Sequence, residues 1–581
     1  LTAGPAKYRQ IRGERPNVWL YIHGPTHHWA ISAAREAGWR LPAAETFTTA
    51  LCRLDGSYWG YPQAELNAAW KALCYPDHGW GGYRGETTDA IFRGKYEQAR
   101  DTGRAVLDRA TRAIAERVSV DDKRNASGRP LVVFNPLSWQ RDDLVDQTVT
   151  LPAGWAHGLR VTDANGRPVP SQTVAVTSHP DGSVRTARLL FVARGVPSLG
   201  YGTWHLLPGV ADKTEPAPPA EQIETAAYRI SLAPGGIRSL FDKRSGRELL
   251  DTGKFLGGEL FTMRSVGNGA GEFDRVQQPT MEGFDQLSRH KPAWKLAESG
   301  AVRWIWETEQ PIEHVTVRQR VIVYRELPRI ELEADLLRWD GTQYREFRLA
   351  FPLAGAKRAS YEVPMGIVTI GQDELPGAAG ERYTQPCAEV HPREVQHWMA
   401  GDDGRAGLMV SSSVAVMDHL DPTDPARPGL MLQPILLASR RSCHGQGNWY
   451  LQAGDHHYRF ALTGYQGDAR ANWRLGVAAN VPLVTQMPTA HRGQLPISAS
   501  FFGVDQPGLM LTTVKKAESD DAAVARVVDY SGRDSRARLL CWPAQTGVAR
   551  ANLIEDELAA QLAPDAALPV GHHAVETVKV W

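Results

Sequence analysis

Apolar positions recur with helical spacing near the start of the chain. In Pro62-Gln-Ala-Glu-Leu-Asn-Ala-Ala-Trp-Lys-Ala-Leu-Cys74, Leu66, Ala69, Trp70 and Leu73 fall at i, i+3, i+4 and i+7, with Pro62 opening the first turn. A longer stripe of Ile91, Phe92, Tyr96, Ala99, Val106, Ala110, Ile114 and Val118 predicts a second helix from about Thr88 to Arg117, with Thr87 or Thr88 as its cap. Residues from Thr26 to about Cys52 supply a third helix, which Pro42 is expected to bend or divide. Three such helices fit a small bundle over residues 25–120.

The period then changes from 3.6 to 2. Residues 121–129 are polar, the apolar run 130–134 follows, and later runs such as 148–151, 187–192, 315–323 and 330–336 alternate apolar and polar side chains between Gly, Pro, Asn or Asp. Antiparallel sheets with one solvated face produce this pattern. Pro-rich residues 208–219 and the Asp- and Pro-rich stretch 421–428 mark further boundaries. The expected fold class is mainly β with an N-terminal α-helical bundle and several antiparallel β-sandwiches. The expected units are a small β domain at 130–210, a large sandwich at 221–430 and a C-terminal β domain at 431–581.

Composition supports that division. The 581 residues allow several domains, and 54 glycines with 38 prolines suit a turn-rich β protein. Sixty-five basic residues balance sixty-five acidic ones, which argues against a generally basic nucleic-acid binder. No run of about 18 apolar residues is present, so no transmembrane helix is expected and no membrane partner is implied. Five widely spaced cysteines without a CxxC pair argue against a disulfide framework, and lean toward a reducing compartment such as the cytoplasm. The chain starts at Leu1 instead of Met and shows no charged-then-apolar signal pattern, so a processed start or a fragment is expected.

Candidate chemistry concentrates in Tyr75-Pro-Asp-His-Gly-Trp-Gly-Gly82, between two helices. Asp77 and His78 can bind a metal or orient one another, and the glycines permit close approach to a ligand. The competing reading is a helix connection in which Asp77 is a cap and Trp80 an anchor. In His23-Gly-Pro-Thr-His-His28, Gly24-Pro25 breaks the i,i+4 geometry of the histidines, and Thr26 is the expected helix cap. Near the far end, strand alternation points His456 and His457 to opposite faces, which disfavours a joint metal site with Cys443 and His444.

These residues carry a resemblance. Gly24-Pro-Thr-His-His-Trp-Ala-Ile31, Asp77-His-Gly-Trp-Gly-Gly82, Thr88-Asp-Ala-Ile-Phe-Arg-Gly-Lys-Tyr-Glu97, Val133-Phe-Asn-Pro-Leu-Ser-Trp139, the 228–250 segment and Leu511-Thr-Thr-Val-Lys-Lys-Ala-Glu518 stand in one order along the chain. Together they resemble the middle and C-terminal parts of glycoside hydrolase family 38, the retaining α-mannosidases. The resemblance implies a helical middle domain, a large mutarotase-like sandwich within 221–430, and 1–24 as a remnant of an upstream α/β domain. It implies a zinc cofactor with His78 as one ligand and Asp77 as the alternative. It also implies Asp77 and Trp80 as sugar contacts and an α-mannose-containing oligosaccharide as substrate. The family's Asp nucleophile and its other zinc ligands belong to the α/β domain, and their counterparts are expected upstream of Leu1. No catalytic residue is therefore expected in this chain, which alone is expected to be inactive and to hold zinc weakly.

Two other classes compete. One is a non-catalytic carbohydrate-binding β-sandwich protein. The other is a hydrolase or lyase built on Tyr383, His391, Arg393, His397 and Asp402, which gather acid/base side chains in one stretch.

Overall fold

The computed structural model describes residues 24–75, 86–120, 128–209, 216–264, 281–374, 392–423, 429–441 and 449–581. Leu1 and the rest of the stretch expected to be an α/β remnant, through residue 23, lie outside the described residues. Three helices come first. Helix α1 (His28–Asp55) buries Ala33, Ala37, Leu41, Ala44 and Thr48 along one side. Pro42 neither ends nor divides it, and the helix runs unbroken through that position. Gly56, in the left-handed region at φ 66°, closes the helix by donating to the carbonyls of Arg53 and Cys52. Helix α2 (Gln63–Leu73) buries Leu66, Ala69 and Ala72.

Helix α3 (Glu86–Ala115) starts earlier than the sequence pattern predicts, so Thr87 and Thr88 lie inside its first turn instead of ahead of it. Its buried stripe includes Phe92, Tyr96, Ala99, Val106, Ala110 and Ile114, as the periodicity predicts. Gly103 lets α3 close on α1, since a Cβ there would come within 3.2 Å of the Leu41 side chain. Only a small cluster of Ala30, Ala33, Phe92 and Tyr96 belongs to the helices alone. Phe47, Leu66 and Val106 share one cluster with Leu511, Val514, Val527 and Val578 of the last β unit.

The β part begins with two sheets sharing a core around Leu131, Val145, Leu189 and Leu206. One holds Arg129–Asn135 and Gly200–Pro208, and the other Arg141–Thr150 and Val184–Val196. Val484–Gln486 joins the first, by pairing Val132 with Gln486, from far along the chain.

The largest sheet has nine strands in the order Lys295–Ser299, Arg303–Ile312, Val315–Tyr324, Ile330–Trp339, Gly454–Gln466, Ala406–Ser412, Trp398–Asp402, Arg358–Val363 and Gly366–Thr369. All its ladders are antiparallel. A six-stranded sheet containing Glu259–Arg264, Arg345–Pro352 and Leu430–Ala438 shares its core through Leu332, Leu336, Phe347, Phe351, Leu432 and Phe460.

Two expectations change here. The break placed near residues 421–430 does not separate units: Leu430–Ala438 and Gly454–Gln466 complete the two sheets of the large sandwich. Nor is one face of each sheet simply solvated. Leu430–Ala438 is buried at every position after the first, because layers cover both of its faces.

Several charged side chains inside the layers are paired with one another. Arg348 bonds Glu346 at 2.6 Å and Asp418 at 2.9 Å, and Arg440 reaches Glu346 at 2.7 Å. A second chain of charges ties the small β unit to the large one. Arg141 meets Asp143 at 2.6 Å, Arg329 meets Asp143 and Glu331 at 3.0 Å each, and Arg459 meets Glu331 at 2.7 Å. The last β unit is a four-stranded sheet of Leu509–Lys516, Ala523–Asp529, Val575–Val580 and Val548–Ala551, against which α1 lies. A short helix, α4 (Trp473–Asn480), packs on Ala406–Ser412 of the large sheet.

Candidate functional site

Asp77, His78 and Trp80 lie outside the described residues, as do Tyr383, His391, Cys443 and His444. The described neighbours of the 76–85 loop are placed. Tyr75 packs edge-on against Phe92 of α3, and Phe92 clusters with Ala30 and Ala33 at the start of α1. That first turn of α1 is the richest polar constellation among the residues flanking the loop.

Its position is set by the large sandwich. The Pro25 carbonyl accepts hydrogen bonds from Ala438 N at 3.1 Å and Gln452 Nε2 at 2.8 Å, and the other end of the Gln452 amide accepts from His28 N at 3.3 Å. Gln452 thus clamps the turn from both sides. Its φ of 51° places it in the left-handed region, a conformation kept where surroundings fix it. Thr26 is not a helix cap. His27 occupies that position without a capping bond, and the Thr26 hydroxyl bonds His27 Nδ1 at 2.9 Å instead. The other nitrogen, His27 Nε2, faces Asp89 of α3 at 3.7 Å, and its ring meets Tyr450 edge-on.

His28 and His456 form the centre. His28 Nε2 lies 3.3 Å from the His457 carbonyl, and its ring lies 4.2 Å from Tyr458. His456 Nε2 bonds the Gln452 carbonyl at 2.6 Å, and Trp29 stacks on its ring at 4.6 Å. Arg93 of α3 lies over Trp29. Burial, with repulsion from His456, pushes the His28 imidazole down to about 3, and burial also lowers His456. Both rings are therefore neutral near pH 7, able to accept hydrogen bonds or ligate through nitrogen. His457 points the other way and pairs with Asp335 at 2.9 Å, as strand alternation predicts.

Zinc takes three or four protein ligands. Among the described residues no group of three His, Cys, Asp or Glu side chains is placed to hold a metal. His28, His456 and the His27–Asp89 pair do not by themselves fit a zinc site, so no chemistry is routed through a metal here.

The other acid/base candidates separate by environment. Arg393 is locked to Glu374 at 2.6 Å. Asp402 is buried and accepts from Arg358, Tyr465 and the Ala469 amide. Both are structural. His397 lies beside open space and Glu362. Cys52, Cys74 and Cys541 are free thiols. No helix among the described residues is long and apolar enough to cross a membrane.

Sequence reasoning missed Gln452, Asp89 and Tyr458. Tyr458 carries a readable signal, since it sits two residues from His456 on the same strand face. Gln452 and Asp89 carry none, because their partners are distant in sequence.

Residues 223–413 match the family model for the glycosyl hydrolases family 38 C-terminal domain. No curated protein matches the chain by sequence. An α-mannosidase from Enterococcus faecalis V583 overlays with a TM-score of 0.74 and 15% identity, covering 98% of this chain and 69% of that one. A glycosyl hydrolase family 38 protein from Enterococcus faecalis overlays at 0.75 and 15%, covering 97% and 71%. At that identity the overlays establish a shared fold. A putative aldose 1-epimerase from Escherichia coli K12 overlays at only 0.26, too loosely to equate the two folds.

Proposed function

We propose that the chain is the helical and β part of a zinc-dependent, retaining α-mannosidase. The match of residues 223–413 to the family 38 C-terminal domain carries this reading. The shared fold with the Enterococcus faecalis α-mannosidase is consistent with it. In this reading the Asp77–Gly82 loop faces the sugar, with His78 or Asp77 toward zinc and Trp80 against the ring. The first turn of α1, held by Gln452 and carrying neutral His28 beside His456, packs through Ala30 and Ala33 on Phe92 of α3. Retention requires two carboxyl groups about 5–5.5 Å apart. No described residue is assigned to that pair.

The test is an assay of the native protein on 4-nitrophenyl α-mannoside, β-mannoside and α-glucoside, following the first-formed anomer by NMR before and after chelation. Hydrolysis confined to the α-mannoside, an α-configured first product and loss of activity with the metal are expected. Preference for another glycoside, or a β-configured first product, overturns the reading.

A further inference from the structure

A cleft separates α1 from the far end of the nine-stranded sheet. A cavity of about 270 Å³ lined by Trp39, Trp70, Met365, Met510 and Tyr530 adjoins a smaller one of about 110 Å³ lined by Arg35, Ser412, Ser413 and Asn480. Trp39, Gln396 and His397 line both. Together they fall near the lower end of the volume range of small-molecule sites, about 300–1,000 Å³. Along α1 the lining runs from Ser32, whose hydroxyl lies 3.4 Å from His28 Nδ1, to Trp39 and beyond.

Its lining is two-sided in chemistry. One end offers aromatic and thioether surface. The other offers an amide, hydroxyls, an imidazole and a guanidinium. His397 Nδ1 is held by Glu362 Oε2 at 3.0 Å, which leaves Nε2 without a protein partner among the described residues. Glu362 is almost wholly buried and also meets the Tyr530 hydroxyl. Arg35 Nη2 donates to the Val395 carbonyl, while buried Nη1 has no partner among the described residues. A buried donor left unpaired is costly, and a ligand oxygen would relieve it. Met365 adds a second anomaly. It is a half-exposed apolar side chain at a hairpin turn with φ 63°.

We propose that this cleft is a saccharide-binding site. Glu36 and Glu362 disfavour an anionic ligand. Aromatic faces beside mixed donors and acceptors suit a neutral pyranoside, with one ring face against Trp39 and its hydroxyls toward Gln396, His397 Nε2 and Arg35 Nη1. Only the choice of mannose as the probe sugar rests on the proposed function.

The probe is thio-linked α-mannobiose, titrated into protein carrying 13C-methyl methionine. The Met365 methyl signal is expected to shift saturably. Trp39→Ala and Gln396→Ala are each expected to weaken that binding about tenfold, and Trp59→Ala, at a fully exposed position, to leave it unchanged. Gln396→Ala carries the test if Trp39→Ala melts early. No saturable shift with any saccharide, or equal binding by all variants, overturns the proposal. A shift with a thio-linked glucose disaccharide but not with the mannose one keeps the cleft as a saccharide site. The α-mannoside reading is decided separately, by the hydrolysis assay.

Discussion

The indole of Trp29 lies flat on the imidazole of His456, with ring centroids 4.6 Å apart and planes 13° from parallel. Helix α1 is thereby fastened to a strand from the far part of the chain. Burial keeps the imidazoles of this region neutral, lowering both His28 and His456.

This predicts a specific acid sensitivity. Above about pH 6.5 these histidines are neutral in both folded and unfolded chains. Below it the unfolded chain takes up protons that the folded chain resists, so stability falls as pH falls toward about 3. From His28 alone the loss between pH 7 and pH 5 is about 2 kcal/mol. Denaturant melts at both pH values are expected to show it, and His28→Gln is expected to flatten the difference by that amount.

Glu45 of α1 has the opposite dependence. Burial pushes its carboxyl up to about 7, although Trp70 Nε1 donates to it at 3.0 Å. The folded chain holds this proton where the unfolded chain has lost it, so stability falls as pH rises from about 4.5 through 7. The full penalty is about 3 kcal/mol. Glu45→Gln keeps an acceptor for Trp70 and is expected to be more stable than the parent at pH 8, with the advantage vanishing near pH 5. Equal stability of the two proteins at pH 8 would contradict this.

Arg348 bridges two fully enclosed carboxylates, Glu346 and Asp418. Arg348→Met fills similar space but removes the charge that both acids face. A loss of about 3–5 kcal/mol in unfolding free energy is expected, together with a lower melting temperature. Replacement of a surface arginine such as Arg104 is expected to cost under about 0.5 kcal/mol.

Gly476 in α4 sits where a Cβ would overlap the Trp398 indole and crowd Met409. Alanine is the better helix former by about 1 kcal/mol, but here the overlap wins. Gly476→Ala is expected to destabilise by about 1–3 kcal/mol. Because Val477, Asn480 and Val481 line the cleft beside Trp39, the same change is also expected to alter the Met365 methyl signal.

The helices and individual strands were legible because each reports its own period. Phe92, Tyr96, Ala99 and Val106 specify the buried side of α3, and His456 and His457 specify the two faces of one strand. Partners across long separations were not legible. Nothing local announces that Ile330 pairs with Leu462, or that Val132 pairs with Gln486. Glu362 reads as an ordinary polar position in an alternating strand, and only the fold brings it to His397. Thr26 looked like a cap because its residue type favours caps, but the neighbouring imidazole competes for its hydroxyl. Asp77, His78 and Trp80 remain assigned by resemblance.

The strand Gly454–Gln466 is the fifth of nine in its sheet, yet the last of them to leave the ribosome. Until it is made, Ile330–Trp339 and Ala406–Ser412 each present an open ladder edge to solvent or to chaperones. The sheet is two unfinished halves for roughly a hundred residues of synthesis. The same strand then receives the first turn of α1, which is made long before it. A nascent chain arrested just before residue 454 should therefore be protease-sensitive throughout the sandwich, and one arrested well beyond 466 should not.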